Sequence, residues 1–142
     1  MSLNLARAQA IIAGTLAEAR SRQAAPLAVM VVDAGGHPVA FAREDGAALF
    51  RHDIARAKAV GALGMGIDTR QLAERAQRNP AFFQGLPAIV GGMIAFSPGG
   101  LLIREAGAIV GAIGISGDSG ECDEVCAMAG IRAAGLTWET SE

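Results

Sequence analysis

The sequence predicts an α+β domain in which a central, mainly antiparallel sheet of five strands is flanked by helices. Three observations favour this class. Segments with helical apolar spacing occupy both ends and the middle of the 142-residue chain. Short apolar runs between them are bounded by Gly and Pro turns. These runs follow one another as hairpins rather than alternating with helices, which favours antiparallel pairing.

The first part of the chain is predicted to be a helix followed by a hairpin. Apolar residues recur at helical spacing over residues 3–22, and Pro26 prevents the helix from continuing. Leu27–Val32 is a continuous apolar run with β-branched residues, as in a buried strand. The turn residues Asp33–His37 lead into a second strand, Pro38–Arg43.

The middle of the chain is predicted to hold two helices. Residues 49–64 carry many alanines and glycines, which make a smooth face that can approach a sheet closely. Asp68 is an expected N-cap of the next helix, with Gln71 three residues later. Asn79-Pro80 is expected to end it, because the residue before proline avoids the α region.

Three further strands and a last helix are predicted in the C-terminal part. The strands are Met93–Phe96, Gly100–Glu105 and Ala108–Ser116, and the helix covers residues 119–134 with Asp118 or Ser119 as its cap. A strand that passes through small, hydroxyl and acidic residues into a helix leaves free backbone N–H groups. We therefore expect a ligand near this helix entry.

Composition limits the classes of function. Hydrophobic residues make up 51% of the chain and charged residues 18%, which favours one folded domain over residues 1–142 and suggests that other subunits cover apolar surface. The net charge is −2 and no basic run interleaves with aromatic residues, so nucleic acid is not an expected partner. No apolar run is long enough for a membrane span, and the N-terminus does not resemble a signal peptide. We expect a cytoplasmic protein.

Two positions in and after the predicted hairpin suit ligand chemistry. The imidazole of His37 in the turn can ligate a metal or haem iron, although a turn histidine is often merely exposed. Arg43 and Asp45 at the strand end suit recognition of a carboxylate or carbonyl. A surface ion pair between them is the alternative.

The second helix carries His52 and Lys58, about one and a half turns apart. Lys58 stands among alanines, and partial burial there would lower its pKa and make it a base or an anion anchor. The alternative is a lysine whose stem lies along the helix while its ammonium group reaches solvent.

Acidic residues gather at the start of the last helix. Glu121, Asp123 and Glu124 complement the positive end of the helix dipole, or with Cys122 and Cys126 they bind a metal. The spacing typical of zinc sites is absent, and a disulfide between the cysteines is not expected in a reducing compartment.

Several motifs resemble one known family. They occur in the order Val31–His37, Arg43–Ala47, Lys58-Ala59, Val110–Gly117 and Asp123-Glu124. Over residues 3–136 the chain resembles the GlcG/HbpS-like family, which includes the C-terminal domain of PduO-type proteins and is often described as haem-degrading or haem-binding. The resemblance implies a profilin-like sandwich that assembles as a homo-oligomer, from dimers to octamers.

The resemblance makes a small-ligand-binding protein the leading hypothesis, with haem or a related tetrapyrrole as the expected cofactor. His37 and His52 are its candidate ligands, with Ser116 and Gly117 near the bound group. A methionine-rich apolar surface is expected to cradle a flat ring, formed by Met30, Met65, Met93 and Met128. The pocket is expected near a subunit boundary, lined by the Asp33–His37 turn, the Arg43–Asp45 strand end and the Ser116–Asp123 helix entry.

The alternative is a catabolic enzyme, a hydrolase, isomerase or lyase acting on a small unsaturated carboxylate or an aromatic-degradation intermediate. Arg43 would anchor the carboxylate, Asp45 or His52 would act as acid or base, and Lys58 would give electrostatic support. A structural protein that functions through its oligomeric surface is a third possibility.

Overall fold

The computed structural model describes residues 3–140, so Met1, Ser2, Ser141 and Glu142 lie outside the described part. The described residues form helices and strands in the order α-β-β-α-α-α-β-β-α. Their bounds are α1 Leu5–Ser21, β1 Ala28–Asp33, β2 Pro38–Arg43, α2 Arg51–Met65, α3 Thr69–Arg78, α4 Pro80–Ile89, β3 Gly100–Glu105, β4 Ala108–Ser116 and α5 Gly120–Ala133.

The four strands form one antiparallel sheet in the order β2-β1-β4-β3. At one end of the sheet, Ala28 pairs with Arg43 on one side and with Ser116 on the other. We call this the Ser116 end. At the opposite end, Asp33 of β1 pairs with Gly111 of β4. We call this the Asp33 end. A strand of 6 residues separates the two ends by roughly 17 Å.

Helices cover both faces of the sheet. Val29 and Val31 of β1 belong to the core shared with α1 and α5, whereas Ala28 and Met30 belong to the core shared with α2. Successive side chains of a strand point to opposite faces, so a strand that is buried on both faces is apolar at every position. This explains the continuous apolar run from Leu27 to Val32.

The small residues of α2 bring this helix very close to the sheet. A Cβ atom at Gly114 of β4 would collide with the carbonyl oxygen of Ala55, and one at Gly100 of β3 would collide with that of Lys58. Ala55 and Ala59 are fully buried against the sheet. The expectation of a smooth, closely packed helix face is therefore confirmed.

The prediction of a fifth strand at Met93–Phe96 is wrong, because these residues form a loop. The helix α4, which the sequence did not predict, begins at Pro80 in the first helical turn, where a proline is tolerated. Ile94 packs against Phe83 and Leu86 of α4 and Leu72 of α3. The apolar side chains of this segment are therefore buried against helices and not against a strand.

The outer edge of β3 also has no room for another strand. The backbone N–H of Gly100 donates to Thr69 Oγ1 at 2.8 Å, and that of Leu102 donates to Asp68 Oδ1 at 2.9 Å. Arg104 exchanges backbone hydrogen bonds with Thr137. These bonds occupy the edge that a fifth strand would need. Asp68 precedes α3 as expected, but its carboxylate bonds to β3 and does not cap the helix.

Candidate functional site

Three side chains meet on the α2 face of the sheet at the Ser116 end. Phe41 and Arg43 lie two residues apart on β2 and therefore point to the same face. His52, in the first turn of α2, contacts Phe41 edge to face with 4.7 Å between ring centroids. The imidazole of His52 remains 43% exposed. A histidine and an arginine thus lie beside one partly exposed aromatic ring.

The predicted ligand residues Ser116 and Gly117 lie at the same end but serve the fold. The Ser116 hydroxyl is buried and accepts a hydrogen bond from Arg51 Nη1 at 3.1 Å. A Cβ atom at Gly117 would collide with the carbonyl oxygen of Pro26, so this position needs glycine for close chain packing. Arg51 thereby connects α2 to the end of β4, a contact that no local pattern indicates.

Lys58 is buried and ion-paired. Only 2% of the residue is exposed, so the expectation that its ammonium reaches solvent is wrong. Its Nζ donates to the carbonyl of Ile115 at 2.7 Å and lies 3.3 Å from Asp123 Oδ2. Burial lowers the pKa of Lys58 and raises the pKa of Asp123. The pair ties α2 and α5 to the end of β4.

The entry to α5 uses its own polar groups to bind backbone N–H groups. Ser119 is the N-cap and accepts from Cys122 N–H at 3.1 Å, and Asp123 Oδ1 accepts from Asp118 N–H at 3.1 Å. The Asp118 carboxylate accepts from the N–H groups of Ala25 and Ser119, which holds its pKa below the usual value. The N–H groups of Asp118, Ser119 and Cys122 are therefore not free for a ligand.

The acidic residues of α5 do not come together as a metal site. Asp123 is paired with Lys58, Glu124 is paired with Arg70 at 2.9 Å, and Glu121 is exposed. Among residues 3–140, no group of three or more His, Cys, Asp or Glu side chains is placed to hold a metal ion. The carboxylates of Asp123 and Glu124 instead hold α2 and α3 against α5.

Cys122 and Cys126 lie one turn apart in α5 as free thiols. Side chains at this spacing keep their Cβ atoms about 5–6 Å apart, which is longer than the distance in a disulfide. Burial raises the pKa of Cys126 to about 12. Cys126 is therefore a core residue and not a reactive thiol.

His37 lies at the Asp33 end, far from His52. Asp33 Oδ1 accepts hydrogen bonds from the N–H groups of Gly35 and His37, which fixes the turn and lowers the pKa of Asp33. The imidazole is 82% exposed beside an open cavity of about 600 Å³. His37 and His52 lie at opposite ends of the sheet. A single chain therefore does not form the expected pocket that combines the Asp33–His37 turn with the Ser116 end.

The expected methionine-rich surface does not form. Met30 is buried under α2, and Met128 packs against the core shared by α1 and α5. Met65 and Met93 line a small apolar groove of about 270 Å³ beside α2. The four methionines thus lie in three separate environments.

Arg43 and Asp45 line an open polar depression of about 430 Å³. Its floor is fixed by Glu44, which pairs with Arg20 at 3.0 Å and accepts from the backbone N–H of Leu27 at 2.9 Å. Within residues 3–140, neither Arg43 nor Asp45 forms an ion pair, so the expected alternative of a pair between them is wrong.

The catabolic-enzyme hypothesis required Arg43, Asp45, His52 and Lys58 to act on one substrate. Arg43 and His52 do share a face of the sheet. The Lys58 ammonium, however, is buried and already bonded to Ile115 and Asp123. The structure therefore does not support a catalytic group of these four residues.

Comparison with known proteins agrees with the fold. The model of a family described as haem degrading protein HbpS-like matches residues 3–132. The chain belongs to this family. Residues 133–142, which include Trp138, extend beyond the matched segment. None of the helices in the described part is long and apolar enough to cross a membrane.

Three solved structures superpose on most of the chain. The crystal structure of the PduOC:heme complex has a TM-score of 0.89 at 27% identity and covers 99% of this chain and 100% of that chain. Klebsiella pneumoniae protein ORFY has a TM-score of 0.86 at 26% identity over 94% of this chain and 90% of that chain. A double mutant of Streptomyces reticuli HbpS has a TM-score of 0.81 at 31% identity over 93% and 86%.

One curated relative is a longer protein, and the chain resembles only a part of it. The corrinoid adenosyltransferase PduO of Salmonella typhimurium is 32% identical over 108 residues, which are 76% of this chain and 32% of that protein. The chain thus spans about a third of the length of this relative. Its likeness is to a part of PduO.

Proposed function

We propose that this HbpS-like chain binds haem or a related tetrapyrrole at the Ser116 end. The surface consists of Phe41, Arg43, Leu49, Phe50 and His52, and we call it the His52 surface. The observation that carries the proposal is a half-exposed imidazole beside exposed apolar side chains. The crystallised haem complex of a relative with the same fold supports it.

The residues of the His52 surface fit a flat apolar ring with acidic side groups. Leu49 and Phe50 are 71% and 69% exposed immediately before α2, an unusual exposure for such large apolar side chains. The imidazole of His52 is 43% exposed, so its ring is accessible to an iron centre. Arg43 supplies a positive charge for a propionate group.

The His52 surface is open, so a single chain would cover only one side of the haem ring. A second subunit would enclose the other side, in a homo-oligomer between a dimer and an octamer. His37, at the far end of its own chain, would then ligate only a haem held by a different surface or by a neighbouring subunit. If bound, haem would supply an iron centre, and His52 would be the residue that holds it.

A hemin titration of the purified protein tests the proposal. We expect saturable growth of a Soret band, and we expect His52→Ala to change the band and weaken binding about tenfold. His37→Ala is the matched control because it removes the same side chain at the Asp33 end. If His37→Ala alters the spectrum and His52→Ala does not, the ligand assignment is wrong. If no saturable band forms, the proposed function is wrong.

A further inference from the structure

A second polar cavity lies at the Asp33 end, beside the outer edge of β3. It has a volume of about 530 Å³ and lies between the connection from α2 to α3, the end of β3 and the C-terminal segment. Its lining includes Asp68, Gln71, Arg104, Trp138 and Glu139. None of these residues belongs to the His52 surface.

Arg104 lies in the wall of this cavity, and within the described part of the chain its backbone is bonded while its side-chain Nε is not. Its backbone N–H donates to the carbonyl of Thr137 at 2.7 Å, and its carbonyl accepts from Thr137 N–H at 3.2 Å. Its Nε is buried and has no hydrogen-bond partner among residues 3–140. A buried donor without an acceptor is unfavourable, so a ligand that supplies an acceptor to this side chain would be stabilised here.

The carboxylate of Asp68 lines the same cavity. One oxygen, Oδ1, accepts from Leu102 N–H at 2.9 Å, and in the described part of the chain Asp68 has no ion pair with Arg104 or any other cation. The positive charge of Arg104 is close enough to act against the burial that raises the pKa of Asp68. Glu139 adds a second carboxylate at the exposed rim. Opposite charges thus line one cavity without neutralising each other directly.

Trp138 gives the cavity an aromatic wall. The Arg132 guanidinium lies 5.0 Å from the centre of the ring, which helps to hold the half-buried indole in place. Trp138 and Glu139 lie beyond residues 3–132, the segment that the family model matches.

We propose that this cavity binds a small zwitterion, an α-amino acid with an aromatic side chain. Arg104 binds the carboxylate, since a guanidinium offers a planar set of donors that matches two carboxylate oxygens. Asp68 and Glu139 bind the ammonium group, and the side chain packs against Trp138. A ligand with a single charge would leave either the arginine or the acidic residues without a partner.

Calorimetric titration at neutral pH with three related compounds tests this proposal. L-Phenylalanine carries both charges, 3-phenylpropanoate lacks the ammonium group, and 2-phenylethylamine lacks the carboxylate. We expect saturable binding of phenylalanine and at least tenfold weaker binding of the other two. Equal affinity for all three compounds, or no saturable binding of phenylalanine, would overturn the proposal.

Two variants assign the charges. Arg104→Gln should bind phenylalanine no more tightly than 2-phenylethylamine. Asp68→Asn should bind phenylalanine no more tightly than 3-phenylpropanoate. The amide of Asp68→Asn retains an oxygen that can accept the hydrogen bond from Leu102 N–H, so this variant preserves the edge of β3. It therefore still tests the proposal if Arg104→Gln proves unstable. Arg75→Gln, on the exposed face of α3, is the matched control and should bind like the parent. Unchanged selectivity in both cavity variants would contradict the assignment.

The variant His52→Ala separates this proposal from the haem proposal. It should leave phenylalanine binding unchanged, because His52 is at the other end of the sheet. A loss of phenylalanine binding in His52→Ala would show that the amino acid binds elsewhere and would overturn the cavity assignment.

Discussion

At the scale of single residues, the Lys58–Asp123 pair shows how much a role depends on a distant partner. The sequence marks Lys58 as unusual because alanines surround it, but Asp123 is 65 positions away along the chain. Both groups are almost fully buried. Burial disfavours each charge, and their mutual attraction and the Ile115 carbonyl compensate for it. The pair is therefore structural.

We expect Lys58→Ala to lower the free energy of unfolding by about 3–5 kcal/mol, because it leaves the Asp123 carboxylate buried without a cationic partner. Asp123→Ala should have a similar effect, and the double variant should cost less than the sum of the two. Chemical denaturation measures all three. Arg56→Ala, at an exposed position of the same helix, should change stability by less than about 0.5 kcal/mol. Additive effects of Lys58→Ala and Asp123→Ala would contradict the pairing.

At the scale of secondary-structure elements, the close contact between α2 and β4 determines how the Ser116 end is assembled. Gly114 lets the backbone of α2 lie directly on β4, and this places Lys58 and Arg51 over the end of the strand. Gly64, in the same helix, has no atom within 4 Å of an added Cβ. Both glycines lie in regular secondary structure, but only Gly114 is closely packed.

We expect Gly114→Ala to destabilise the protein by about 3 kcal/mol, because α2 must move away from the sheet. Gly64→Ala should stabilise it by about 0.5–1 kcal/mol, since alanine is the better helix former and meets no neighbour. Thermal and denaturant unfolding of both variants measures the difference. Equal effects of the two substitutions would show that α2 does not contact β4 as closely as described.

At the scale of the whole molecule, the described residues expose two groups of large apolar side chains near α2 and α4, besides Leu5 on α1 and Ile109 on β4. Leu49 and Phe50 lie before α2, and Phe82 and Ile89 lie on α4. Ile89 is 76% exposed, the highest value among the large apolar residues of the described part. Such patches favour association of subunits. Homo-oligomerisation, which the composition and the family resemblance both suggested, remains a prediction.

Light scattering should give a mass that is a multiple of the 14.4 kDa subunit at micromolar concentration. Leu49→Glu combined with Phe50→Glu should lower this mass and weaken hemin binding if the His52 surface lies at a subunit boundary. Gln77→Glu, an exposed substitution on α3, is the control for added charge. A parent mass near 14.4 kDa at all these concentrations would contradict oligomerisation.

The amino-acid sequence by itself determined most of the secondary structure. The predicted bounds of β2, β3 and β4 agree with the structure, and the predicted first, second and last helices agree within about two residues at each end. Turn residues, apolar spacing and caps are local signals, so they can be recognised without the rest of the fold. The motifs also indicated the family, which the match over residues 3–132 confirms.

Local signals correctly ended α3 before Pro80 but did not reveal α4, and they misled at Met93–Phe96. The proline that was expected to end one helix also begins α4, because its missing N–H is tolerated in a first turn. The apolar run that follows looks like a strand, but Asp68, Thr69 and Thr137 already occupy the edge of β3. A short apolar run cannot indicate whether a sheet edge or a helix will cover it.

Only the tertiary structure decided which candidate residues come together. It placed His37 and His52 at opposite ends of the sheet, gave Asp123 and Glu124 to basic partners, and brought Arg104 near Asp68 in one cavity. Each of these relations depends on strand pairing or helix packing between segments far apart in the chain. Spacing along the chain describes a local backbone, whereas a binding site depends on distances that the chain acquires only when it folds.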